Sequence, residues 1–220
     1  LYGTVSRRGS NSGALIEFDP EKKELKVVSV FDGLWNGANP GGRLIEATNG
    51  KIYGTTKTGG VGARGVIFEY DPSNNLFKKV HEFGTEPSER PAAGLSESPA
   101  GKLYGVTSGG GLNNLGTFFE FDPATSQFER LYNFELDVCY HPVGTVVIHP
   151  NGKLYGASLY TFNGGGCVYE FDLATRQLVV RLNFNGQNGS MPSGDMFLGH
   201  DGTLIGSTSS GGAPDRGVLY

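Results

Sequence analysis

The sequence predicts an all-β protein, a β-propeller of four-stranded antiparallel blades with a repeat of about 51 residues, forming part of a larger ring. Three observations carry that expectation. A block of that length recurs along the chain with many positions in register. Each copy divides into four short alternating segments bounded by Gly, Pro, Asn and Asp. No segment shows apolar residues at helical spacing between caps.

The register is set by an aromatic–glycine pair, at Tyr2-Gly3, Tyr53-Gly54, Tyr104-Gly105 and Tyr155-Gly156, with Ile205-Gly206 as a weaker fifth copy. Other positions keep step. Glu17-Phe18-Asp19 returns as Glu69-Tyr70-Asp71, Glu120-Phe121-Asp122 and Glu170-Phe171-Asp172. Phe31, Phe83, Phe134 and Phe184 recur, as do Pro40, Pro91, Pro142 and Pro192. The array covers 1–220 in units 2–52, 53–103, 104–154 and 155–204, with a partial copy at 205–220.

Residues 92–134 serve to read one unit strand by strand. Ala93 to Glu97 is a first strand, and Pro99-Ala100-Gly101 turns the chain. The other copies place Asn-Gly or Asp-Gly at this turn, and both residue types tolerate positive φ in a tight hairpin. Lys102 to Thr107 is the second strand, and Gly109-Gly110-Gly111 opens a longer loop. Gly116 to Asp122 is the third strand, and Gln127 to Phe134 the fourth. Between them Asp122-Pro123 starts a turn, because Asp accepts a backbone hydrogen bond two residues on and Pro presets φ.

Composition excludes several other classes. Glycine supplies 36 of 220 residues but not every third one, so the chain is not collagen. Aromatics at 11% are too many for a disordered chain. No apolar run approaches the roughly 20 residues of a membrane span, and no polybasic or amphipathic segment suggests membrane insertion. The 18 basic and 22 acidic residues are interleaved, so no basic stripe recommends a nucleic acid. Cys139 and Cys167 are too few for a disulfide scaffold and lack metal-ligand spacing; they either bridge each other or fill the core. The start, Leu1-Tyr2-Gly3, has neither Met nor a charged leader, so any signal peptide is expected to be removed or outside this sequence.

The chain begins inside a second strand at Tyr2 and ends inside a third at Val218-Leu219-Tyr220. That phase leads us to expect a stretch of a longer array. Pairing of the open end with another chain, or a partial solenoid, are the other readings.

The order Gly-Lys-aromatic-Gly, a glycine pair, then aromatic-Asp-Pro resembles the kelch repeat. The pair is read at Gly59-Gly60, Gly109-Gly110 and Gly211-Gly212, while Arg8-Gly9 and Phe162-Asn163 stand nearby in copies one and four. The usual kelch Trp is replaced by Leu25, Phe77, Phe128 and Leu178. A nearer resemblance is to the bacterial Leu-Tyr-Gly-Thr-Thr…Gly-Gly repeats called GloVer repeats, which Thr55-Thr56 and Val106-Thr107 fit. That resemblance implies a secreted or cell-surface protein and specifies fold better than function. Some kelch-like propellers are copper radical oxidases. Tyr140, Tyr160 and Cys167 lie in no recognisable ligand framework, so neither that activity nor a cofactor is carried over.

Among residues that could carry chemistry, Asp19, Asp71, Asp122 and Asp172 read as caps of their own turns. Glu17, Glu69, Glu120 and Glu170 sit in apolar strands and must be paired; the expected partners lie on the neighbouring blade, and an axial cation-binding ring is the alternative. Among His81, His141, His149 and His200 no pair has metal-motif spacing, and His141 reads as a solvated loop residue or as part of a copper or zinc site. Trp35 is either a carbohydrate-stacking platform or a plug between blades. Asn188-Gly189-Ser190 is a glycosylation sequon.

Recurring positions build the scaffold, so loop positions that break the repeat are where recognition belongs. These are Arg7-Arg8, Trp35, Glu86 to Arg90, Cys139 to His141 and Tyr160 to Phe162. The binding candidates are Trp35, Tyr140, His141, Tyr160 and Phe162, with no catalytic or metal-ligating residue assigned. The expected role is non-enzymatic binding or assembly, with a protein or glycan ligand or self-association. The rival is a hydrolase, lyase or copper oxidase using the central loop face.

Overall fold

The computed structural model describes residues 1–6, 12–84 and 89–220. Arg7, Arg8, Gly9 and Glu86 lie outside the described residues. Every sheet is antiparallel with strands in chain order. Blade one holds β1 (Tyr2–Val5), β2 (Ala14–Asp19) and β3 (Glu24–Val30). Blade two holds β4 (Ala38–Glu46), β5 (Ile52–Thr58), β6 (Val66–Asp71) and β7 (Leu76–Glu82). Blade three holds β8 (Ser96–Glu97), β9 (Leu103–Thr107), β10 (Thr117–Asp122) and β11 (Gln127–Asn133). Blade four holds β12 (Tyr140–Ile148), β13 (Leu154–Tyr160), β14 (Cys167–Asp172) and β15 (Gln177–Asn183). Blade five holds β16 (Ser190–Leu198) and β17 (Leu204–Ser210), with Leu219 bridging Ser207 where a third strand would pair.

The chain is a β-propeller array, and its core lies between successive blades. One cluster joins Tyr53, Ile67 and Phe83 of blade two to Leu95, Leu103 and Phe119 of blade three. A second joins Tyr104, Phe118 and Phe134 to Leu154, Tyr169 and Phe171. Burying a side chain of this size contributes about 1.5–3 kcal/mol, so each blade depends on its neighbour.

The aromatic–glycine pair has a steric cause. Gly54, Gly105 and Gly156 pair directly across from Phe68, Phe119 and Tyr169 on the next strand. Those rings lie 2.5, 2.5 and 2.3 Å from where a Cβ would stand, so only glycine leaves them room. A second glycine per unit joins the blades. Gly13, Gly65, Gly116 and Gly166 precede the third strands, and their carbonyls accept hydrogen bonds from the amides of Phe31, Phe83, Phe134 and Phe184. On each of these glycines rests the ring of Pro40, Pro91, Pro142 or Pro192 from the following blade. The recurring prolines are therefore inter-blade contacts.

Two local readings are corrected. The first strand of blade three is two residues long, not the span from Ala93. Pro91 also bridges Thr107 of β9, and in the unpaired stretch between that bridge and β8 the Ala93 carbonyl accepts from Thr55 Oγ1 of blade two at 2.7 Å while Gly94 packs on the Arg43 backbone. The glycine pair of copy three is Gly110-Gly111, with φ of 85° and 75°, matching 81° and 79° at Gly59-Gly60. Gly116 N donates to Gly110 O as Gly65 N donates to Gly59 O, so the loop closes one residue later than read.

Candidate ligand-binding face

Because the strands alternate in direction, the loops from second to third strand and from each blade to the next share one end of the array. Trp35, Arg90, Cys139 and Phe162 all lie in those loops, and Tyr140, His141 and Tyr160 at the strand ends beside them. The opposite end carries the hairpin turns and the Asp-capped turns. There Asp19, Asp71, Asp122 and Asp172 accept from the amides of Glu21, Ser73, Ala124 and Ala174 at 2.9–3.0 Å, as their spacing implied.

The repeated glutamates belong to the scaffold. Glu69 accepts from Lys51 Nζ at 2.6 Å and Tyr53 OH at 2.8 Å, both in its own blade. Lys102 and Tyr104 hold Glu120, and Lys153 and Tyr155 hold Glu170, in the same way. In blade one Tyr2 OH donates to Glu17 at 3.3 Å. Partners on the neighbouring blade, and a ring around the axis, are both overturned. The axial cleft of about 360 Å³ is lined instead by Arg43, Glu97, Thr145 and Asp195 from the first strands.

Three of the five binding candidates come together. Tyr140 and Tyr160 pair across β12 and β13 with ring centroids 5.5 Å apart. His141 sits 5.5 Å from the Tyr140 ring and 5.9 Å from the Tyr160 ring. His141 is half-buried on β12, not in a solvated loop, and its Nδ1 lies 2.5 Å from the Ser108 carbonyl. Among the described residues no group of three or more His, Cys, Asp or Glu could hold a metal ion. Trp35 is 67% exposed at the tip of a turn that Asp32 caps, which rules out a plug between blades. Phe162 is 80% exposed on the rim of a separate cleft shared with Asn163, Asn183 and Asn185.

Two clefts lie on this face, and the first adjoins the Tyr140–His141–Tyr160 cluster through His141. One, about 320 Å³, is lined by Arg90, Ser108, Gly109, Asn114, His141 and Leu159. The other, about 520 Å³, includes Asn39, Lys57, Thr58, Arg90, Ser108 and Val143. They share Arg90 and Ser108. The lining comes from two repeat positions: the residue before each inter-blade proline (Asn39, Arg90, His141) and a residue ending each second strand (Lys57, Ser108, Leu159). Both vary while their neighbours recur. Asn39 and His141 hold left-handed φ of 52° and 53°, a costly conformation before proline. Their amides donate to Ser12 O and Leu115 O of the preceding blade, which fixes that backbone. Glu89, next to Arg90, is 2% exposed and gripped by Arg130 Nε and Nη2.

Lys57, Ser108, Asn39 and Asn114 were not singled out from the sequence. The signal was present in the changing residue before a constant proline. Cys139 and Cys167 are free, fully buried thiols.

The fold has many relatives of known structure. The chain is similar to the extracellular domain of BT4673 from B. thetaiotaomicron, at 17% identity and a TM-score of 0.62, over 94% of this chain and 25% of that one. TolB from Acinetobacter baumannii matches at 16% identity and a TM-score of 0.56, over 90% and 44%. A structure described as a gluconolactonase matches at 11% identity and a TM-score of 0.58, over 93% and 69%. The chain thus spans about a quarter of the length of BT4673's extracellular domain. No curated protein matches the sequence. Residues 1–161 match the model of the Gloeobacter/Verrucomicrobia repeat, and the chain belongs to that family.

Proposed function

We propose that this chain is a non-enzymatic binding propeller of a secreted or cell-surface protein, and that it holds a glycan on the face bearing Tyr140, His141 and Tyr160. One observation carries the reading: side chains that break the repeat converge on one face and line adjoining clefts there. Half-buried aromatic rings beside neutral Asn, Ser and Thr groups suit a sugar, whose C–H face packs on a ring while its hydroxyls take hydrogen bonds. Likeness in fold to an extracellular domain supports the location. The glycine pairs in the second-to-third-strand loops support a kelch-like description of the blades.

A glycan array probed with the purified chain tests this. Retention that drops in a Y140A/Y160A variant with an unchanged melting curve supports it. Retention indifferent to the variant, or absent, overturns it. The same convergence of Tyr and His favours the enzymatic reading as the second choice. Release of product from a retained glycan would replace binding with catalysis.

A further inference from the structure

We infer that the two clefts meeting at Arg90 form one site for an oxyanion, the carboxylate or sulfate of an acidic saccharide; this rests on the glycan-binding reading above. Arg90 lines both clefts, Lys57 one and His141 the other, and among the described residues no Asp or Glu lines either. The nearest carboxylate in sequence, Glu89, is already engaged by Arg130 and turned into the protein. The stem of Lys57 lies over Gly41, its Cε 2.5 Å from where a Cβ would stand, so the ammonium is carried on a supported side chain. A guanidinium presents a planar fork of donors matched to an oxyanion, and an ammonium adds a point charge beside it. Nδ1–H of His141 donates to Ser108 O, so its Nε2 is left as an acceptor for a saccharide hydroxyl. Asn39, Ser108 and Asn114 supply neutral groups for hydroxyls between the cations.

The observations favour a saccharide over an acidic peptide because His141, which lines the cleft with Arg90, packs against the aromatic pair Tyr140 and Tyr160. The test is titration of the ¹⁵N-labelled chain with four probes followed by NMR: a uronate tetrasaccharide, a sulfated tetrasaccharide, neutral cellotetraose and tetraglutamate. The expected result is that one acidic saccharide shifts the amides of Asn39, Ser108 and His141, and that added salt weakens it. K57Q and R90Q should each weaken that binding about tenfold with an unchanged spectrum elsewhere. Preference for the uronate over the sulfated probe, or the reverse, identifies the oxyanion. Equal binding of cellotetraose, with K57Q and R90Q silent, overturns the oxyanion site and leaves the glycan reading standing. Tighter binding of tetraglutamate, or no shift with any probe, overturns the proposal.

Discussion

Gly105 and Phe119 face each other across β9 and β10, and the Phe119 ring edge lies 2.5 Å from where a Cβ on Gly105 would stand. Phe119 is fully buried between blades two and three, so its ring cannot swing away without opening the core. The aromatic–glycine spacing that marks the repeat is thus a packing requirement of each blade on its neighbour.

Gly105→Ala should therefore destabilise the fold. Alanine would gain roughly 0.5–1 kcal/mol from lower chain entropy, but overpacking a closed core costs about 1–3 kcal/mol, so the collision dominates. Gly3 holds the same repeat position opposite Ile16, whose nearest atom is 3.8 Å away, an ordinary contact. Gly3→Ala should be neutral or slightly stabilising. Urea denaturation of both variants checks the contrast, and equal destabilisation would refute the packing argument.

The strands were legible because their limits depend on local turn chemistry, as at Asn49-Gly50 and Asp122-Pro123. The role of Pro142 was not, because its partner Gly116 belongs to another blade and contact across blades leaves no local trace. The partners of Glu69 were misread for a related reason: Tyr53 stands directly opposite it once the hairpin register is known. At the candidate site, Tyr140, His141 and Tyr160 were visible because they break the repeat. Lys57 and Ser108 were hidden because Lys and Ser are unremarkable at the end of a surface strand.

Acid should weaken the fold through Glu170. Arg181, Lys153 and Tyr155 all donate to its carboxylate and hold its pKa at about 2, below an ordinary 4.5. Since the folded value lies below the unfolded one, the stabilisation is complete above pH 4.5 and is lost as pH falls towards 2. Melting temperatures across that range should fall more steeply for the parent chain than for Glu170→Gln, which starts lower. Parallel slopes would refute the assignment.

A second pH dependence should come from His81. Its ring stacks on Phe128 of the next blade at 3.9 Å and 7°, and burial lowers its pKa from 6.5 to about 4. The fold favours the neutral ring, whereas the unfolded chain takes up a proton near 6.5. Stability should therefore decline as pH falls from 6.5 to 4 and lose nothing further through this residue below that. His81→Phe keeps the stack and removes the proton, so it should flatten this window alone. An unchanged profile in that variant would assign the dependence elsewhere.

Cys139 and Cys167 should be silent in the native protein. Cys139 lies in the loop leading into β12, and Cys167 opens β14. Both are fully buried in the cluster between blades three and four, and a hydrogen bond that the Cys167 thiol donates to Cys139, together with burial, pushes Cys167 above its ordinary pKa. The thiolate is the reactive species, so low exposure and a raised pKa act in the same direction. Ellman's reagent should find no accessible thiol at neutral pH without denaturant and two per chain in guanidinium. Native labelling at the unfolded rate would mean that the interface between these blades opens readily. An intact mass short of two hydrogens, with no thiol released by denaturant alone, would mean that the pair is bridged and that the cross-link holds the interface closed.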